Sequence, residues 1–160
     1  MFDVESLIEY RESQILGIKG MYNHVAMIFE KNNYEQPLCY GTNYLVDLND
    51  NRSIHAEHDA LLRLKKNFSK KLKKINLLVI RYTNTYKLTT SKPCIFCLEK
   101  MKGLALQKGY MIHKVYYSGF REIYSDKFTT LYNQDKKHIP NRNRRKNYDG
   151  KRKFIPTTTI

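Results

Sequence analysis

Long apolar runs are missing from this 160-residue chain. None approaches the roughly 18 residues that a membrane-spanning helix needs. Acid is scarce as well, with 15 Asp and Glu against 29 Lys and Arg, a net charge of +14. Cysteine is limited to three residues. That odd number, and the closeness of Cys94 and Cys97, exclude an ordinary disulfide framework. The N-terminus lacks the basic, then apolar, pattern of a secretory leader and carries Asp3, Glu5, Glu9 and Glu12 instead. The expectation is a protein of a reducing compartment, cytoplasmic or nuclear, neither secreted nor membrane-bound.

Hydrophobic residues make up 41% of the chain and aromatics 12%, enough to fill a core. A wholly disordered chain is thereby excluded, and the length fits one domain, or one domain with a tail. The cationic excess lies in two places. Lys65 to Lys74 (KKNFSKKLKK) holds six lysines and no acid, and Lys136 to Lys153 holds nine Lys and Arg against Asp149. Everything outside these two segments is neutral. Lys, Asn, Tyr and Ile, all with A/T-rich codons, are abundant throughout, so a lysine run can also be a solvated loop. The second segment contains Arg142, Arg144, Arg145 and Arg152. Guanidinium forks pair with phosphates as lysine does not, which makes these four candidate phosphate or nucleic-acid contacts. Residues 1–132 are expected to form the domain and 133–160 a basic, flexible tail.

Asp3 suits a helix N-cap, and the pattern predicts a helix over residues 3–16. Val25 to Phe29 and Leu38 to Tyr40 read as strands joined by the turn-rich KNNYEQP. Ser53 is positioned to cap a second helix with Ala60, Leu61, Leu64 and Phe68 on its apolar stripe. The run Ile75 to Ile80, apolar apart from Asn76, suits a strand covered on both faces. Pro93 opens a third helix that stops near Gly109. Ile112 to Tyr117 and Arg121 to Tyr124 are close enough for a final antiparallel hairpin. This order implies a three-layer α/β/α sandwich.

Two helix starts carry the chemistry. His55-Ala56-Glu57 opens the second helix, and Pro93-Cys94 opens the third with Cys97 one turn later. One imidazole and two thiolates suit zinc, and three protein ligands leave a fourth position open. Cys94 and Cys97, three apart, face the same way on a helix. The positive helix end favours the thiolates that a metal requires.

With IHAEHDALL and SKPCIFC in place, the sequence resembles the cytidine deaminase-like superfamily over roughly residues 20–125, since H-x-E followed by P-C-x-x-C is the zinc deaminase signature. The resemblance implies a mixed five-stranded sheet, one zinc ion per chain held by His55, Cys94 and Cys97, and Glu57 as the catalytic proton shuttle. It places Asn43 and Ala56 at the substrate. The implied activity is hydrolytic deamination of a cyclic amidine, the substrate being a cytosine-type nucleoside or nucleotide. A nucleic-acid editing deaminase is the alternative within the enzymes, and an inactive zinc-containing binder of nucleic acid or protein is the alternative outside them. A homo-oligomer is compatible with the resemblance, since many relatives complete their sites across subunits.

The 39-residue interval from His55 to Cys94 is longer than the tRNA adenosine and deoxycytidylate deaminases lead one to expect, with the excess in Lys65 to Lys74 and Tyr82 to Lys92. A final antiparallel pair resembles the free-cytidine and toxin-type branches. Cys39 reads as a small buried residue rather than a fourth ligand. His58 reads as packing, and His24 and His113 as structural, with His24 also a candidate pocket wall. Tyr82, Tyr86, Tyr116 and Tyr117 are β-formers, any of which could stack a base.

Overall fold

The computed structural model describes residues 2–14, 22–47 and 52–134. Arg142, Arg144, Arg145 and Arg152 therefore lie outside the described residues. Helix α1 (Val4–Gln14) precedes strands β1 (Tyr22–Glu30) and β2 (Pro37–Thr42) and a small ladder of β3 (Tyr44–Asp47) and β4 (Arg52–Ile54). Helix α2 (Ala56–Arg63), strand β5 (Lys73–Thr83), the two-residue β6 (Leu88–Thr89) and helix α3 (Ile95–Gln107) follow. Strands β7 (Tyr110–Ser118) and β8 (Ile123–Lys127) and helix α4 (Phe128–Asn133) complete the fold.

The main sheet is open and mixed, in the order β2-β1-β5-β7-β8, with β6 paired to the end of β5. The β5–β7 pair is parallel, and β1–β2, β1–β5 and β7–β8 are antiparallel. The parallel pair follows from α3, which carries the chain back between β5 and β7. The antiparallel last pair follows from the tight Gly119–Glu122 connection, closed by a Gly119 N–H to Glu122 carbonyl bond of 2.8 Å.

Strand alternation divides the core. Ile28, Ile75, Leu77, Val79, Ile112 and Val115 pack with residues of α2, α3 and α4 on one face. Val25, Met27, Phe29, Leu78 and Ile80 meet Leu7 of α1 on the other. The apolar residues of β5 are thus covered on both sides, with Asn76 the one polar side chain among them.

Three expectations need correction. Ser53 does not cap α2, because it pairs with Leu45 in the β3–β4 ladder, and His55 is the N-cap instead. Phe68 is not on the α2 stripe: the helix ends at Arg63 and Phe68 is 87% exposed. The boundary at residue 132 falls inside α4, a helix too short to leave a periodic signature.

Helix α2 is pressed against β2 at Gly41. A Cβ placed there would lie 2.1 Å from the Ala60 nitrogen and 2.4 Å from the Ala56 carbonyl oxygen. Only a missing side chain allows this approach. The contact is fixed by the Thr42 N–H donating to Asp59 Oδ2 at 2.9 Å, and by the Cys39 thiol donating to the Ala60 carbonyl at 3.2 Å. Asp59 is held in turn by Arg63 at 2.9 Å. Gly41→Ala is expected to cost about 3 kcal/mol, at the upper end of overpacking penalties, read as a lowered urea midpoint with unchanged slope.

Candidate metal centre

The N-termini of α2 and α3 converge. His55, the residue before α2, is extended, with φ −81° and ψ 153°. Cys94 holds the same position before α3, and its sulfur accepts the Cys97 N–H at 3.4 Å. The segment leading to Cys94 is anchored by two buried serines. Ser91 Oγ donates to the Val79 carbonyl at 2.7 Å and accepts the Ser118 N–H at 2.8 Å. Ser118 Oγ donates to the Thr89 carbonyl at 2.6 Å. The ends of β5 and β7 thereby set where α3 begins.

His55 Nδ1 lies 3.0 Å from Cys97 Sγ and 3.8 Å from Glu57 Oε1. Cys94 Sγ lies 3.3 Å from Cys97 Sγ. Among the described residues, His55, Glu57 and Cys97 have donor atoms all within 4.8 Å of one another and could hold a metal ion. Cys94 joins the group through Cys97. The nitrogen–sulfur and sulfur–sulfur separations are a few tenths of an ångström shorter than the roughly 3.5–3.8 Å imposed by a tetrahedral ion with 2.0–2.3 Å bonds. One His and two Cys at this spacing fit such an ion with small side-chain movements.

The electrostatics point the same way. Glu57 is buried, and its Oε2 has no hydrogen-bond partner. Burial opposes its ionisation, but the His55 imidazole 3.8 Å away, with His24 adding to it, outweighs this and holds the carboxyl down at about 2. The Glu57 carboxylate in turn raises His55 above its ordinary 6.5. Cys94 falls to about 7, chiefly through its hydrogen bond with Cys97. Cys97 is pushed up by that same bond, by burial and by the Glu57 charge. The two sulfurs share a proton where a cation would replace it, and a buried carboxylate with an orphaned oxygen stands beside them.

The other sequence candidates are dispersed around this centre. Asn43 Oδ1 is occupied by the His24 N–H at 2.8 Å and by the Arg11 guanidinium at 3.3 and 3.4 Å. It ties α1 to β1 through this oxygen. The Ala56 side chain is wholly buried, so any ligand contact falls to its backbone. The His24 ring lies 6.5 Å from that of His55, with its pKa pushed down to about 4 mainly by burial. Cys39 serves the β2–α2 contact. The His58 ring is half-buried, with Nε2 buried and unpartnered.

Tyr82 is wholly buried, and its hydroxyl donates to Glu12 at 2.9 Å. Tyr117 is buried and donates to Asp126 at 2.6 Å. Neither presents a free ring. Tyr86 is 57% exposed and stacks on Tyr82. Sequence reasoning missed Arg11, Asp59, Ser91 and Ser118. All four are common surface types, and only long-range contacts reveal them as buried.

No helix among the described residues is long and apolar enough to cross a membrane. No family model, curated protein or solved structure matches the chain.

The His55–Glu57 pair has a pH signature in metal-free protein. Glu57, depressed from 4.5, contributes stability that is complete above 4.5 and is lost as the pH falls through its folded value near 2. His55, raised from 6.5, contributes stability that is complete below 6.5 and is lost as the pH rises through its folded value. Relative to Glu57→Gln, metal-free wild type should gain most between pH 4.5 and 6.5, with the difference shrinking on both sides. Urea midpoints across pH check this.

Proposed function

We propose that the protein is a zinc-dependent hydrolase that deaminates a cytosine-type nucleoside or nucleotide on a cytidine deaminase-like fold. The observation that carries this reading is the buried Glu57 carboxylate with an unpartnered oxygen, set beside one imidazole and two sulfurs at two abutting helix starts. A purely structural metal site has no use for such a carboxylate.

His55, Cys94 and Cys97 would hold the ion. Zinc, when bound, supplies Lewis acidity that brings the pKa of a water from 15.7 towards about 7. Glu57 is ionised at neutral pH and can take a proton from the attacking water. It hands that proton to the ring nitrogen as oxygen bonds to the amino-bearing carbon, then carries the new hydroxyl's proton to the amine, which departs as ammonia as the carbonyl forms. The His24 ring, 6.5 Å from that of His55, stands on the β1 side of the centre.

The antiparallel β7–β8 pair supports the free-cytidine type of substrate over an editing substrate. The tRNA, deoxycytidylate and editing enzymes of the superfamily run that pair parallel.

The test is ammonia release by purified protein of measured zinc content. The panel comprises cytidine, deoxycytidine, their monophosphates, adenosine, guanine and a single-stranded oligonucleotide. Glu57→Ala should keep one zinc per chain and lose about 10³-fold or more in turnover, within the range for general acid–base groups. Cys94→Ala and Cys97→Ala should lose the metal as well. Zinc-loaded protein that turns over none of the panel, or a Glu57→Ala variant with wild-type turnover, would remove the proposal.

A further inference from the structure

Beyond the metal centre, the structure gathers a second set of charges at the far ends of the same helices. The Lys65–Lys74 segment joins the C-terminus of α2 to β5. It meets the turn after α3, through the Asn67 N–H donating to the Lys108 carbonyl at 2.8 Å and Asn67 Nδ2 donating to the Gly109 carbonyl at 3.0 Å. Asn67 also bonds the Lys71 carbonyl and the Ser69 N–H, which fixes the segment from within. Helix α3 alone is about 20 Å long at 1.5 Å per residue, so this end is remote from Cys94.

All six lysines of the segment are exposed. Among the described residues, Lys73 alone of the six has a carboxylate in ion-pair range, Glu30 at 3.6 Å. Phe68 stands in their midst, 87% exposed, with the Lys66 ammonium 5.8 Å from its ring centre. A phenylalanine displayed on a braced loop among cations contributes nothing to the core.

The cationic surface continues onto the sheet. Lys114 of β7 is directly opposite Lys127 of β8 in the antiparallel ladder. Like charges so placed destabilise the pair. Lys31 donates its N–H to the Lys74 carbonyl at 3.1 Å and is tied to Lys114 by one wholly buried side chain. Asn76 Nδ2 donates to the Lys31 carbonyl at 3.1 Å, while Asn76 Oδ1 accepts the Lys114 N–H at 3.2 Å. This bracket sits where the β5–β7 register shifts and His113 is the extra residue. His113 is held below its ordinary pKa, first by slight burial and then by Lys31, Lys114, Lys74 and Lys127 together. Four ammonium groups thus act on one imidazole, an arrangement that repels itself until an anion neutralises it.

We propose that this surface, built from the Lys65–Lys74 loop with Phe68 and from Lys31, Lys114 and Lys127, binds single-stranded nucleic acid at a site separate from the metal centre. The lysines follow a phosphate backbone, and Phe68 supplies a face on which an unpaired base stacks. A duplex keeps its bases stacked and gives Phe68 nothing to meet. An acidic protein would satisfy the charges without the ring.

The test uses the full chain and a fluorescein-labelled twenty-nucleotide oligo(dT) or oligo(U), with anisotropy titrations over a range of salt. The combined variant Lys31→Gln, Lys74→Gln, Lys114→Gln and Lys127→Gln should bind at least about tenfold more weakly. Its salt slope should be shallower by about 2 to 3, from a single-strand slope of roughly 0.7 per phosphate contacted. Phe68→Ala, at a position too exposed to disturb folding, should weaken binding about fivefold or more and leave the slope unchanged. Both variants should keep wild-type metal content and turnover of free nucleosides. An unchanged slope in the combined variant would assign binding to other cations of the chain and overturn the proposal. Unchanged affinity in Phe68→Ala, or equal affinity for a duplex or polyglutamate of matched charge, would overturn it by reducing the surface to a general polyanion patch. Should the combined variant fail to fold, Phe68→Ala and the duplex comparison decide.

Discussion

The close contact of β2 with α2 is the constraint on which the candidate centre depends. Helix α2 has only eight residues, too few to be helical alone in water. It exists because Gly41 admits its backbone, and because Thr42 and Asp59 lock the approach. This contact places the start of α2 at the edge of the sheet, so that His55 and Glu57 meet a helix start supplied by a distant part of the chain. The Ser91–Ser118 pair does the corresponding work for α3 from the far side of β5. Two independent clamps, one on each helix, thus bring an imidazole to within 3.0 Å of a sulfur.

Much of the layout was legible in the residues. The β5 run Ile75 to Ile80 announced a doubly covered strand, and the short interval after Ser118 announced an antiparallel pair. Both rest on local signals of patterning and loop length. His55, Glu57 and Cys97 were legible for a different reason, because they lie in the H-x-E and P-C-x-x-C patterns whose residue types suit metal ligation. What sequence could not supply was partnership. Ser53 looked like a helix cap because nothing local announces a two-stranded ladder with residues before it. Asn43 looked available for a ligand, yet its amide oxygen holds His24 and Arg11 together. Phe68 matched the helical stripe in spacing, but the helix had already ended.

The tyrosines make the same point about burial. Thirteen of them read alike in the sequence, but the structure sorts several by environment. Tyr82 is wholly enclosed between Arg11 and Tyr86, Tyr117 is bonded to Asp126, and Tyr34 meets Tyr116 hydroxyl to hydroxyl at 3.2 Å. Such rings contribute cohesive surface on both faces of a sheet with no tryptophan in reserve.

The sequence separation of His55 and Cys97 has a thermodynamic consequence. These residues lie 42 positions apart on different elements, so an unfolded chain offers a metal the separate local pairs His55–Glu57 and Cys94–Cys97 but not the assembled group. An ion held by the assembled group binds the native state more tightly than the unfolded one, and that difference adds directly to folding free energy. Metal supply and the fraction of folded protein then form one linked equilibrium. With an ion resident at the site, a cell short of it would lose folded protein by turnover of unfolded chains as well as by idle sites.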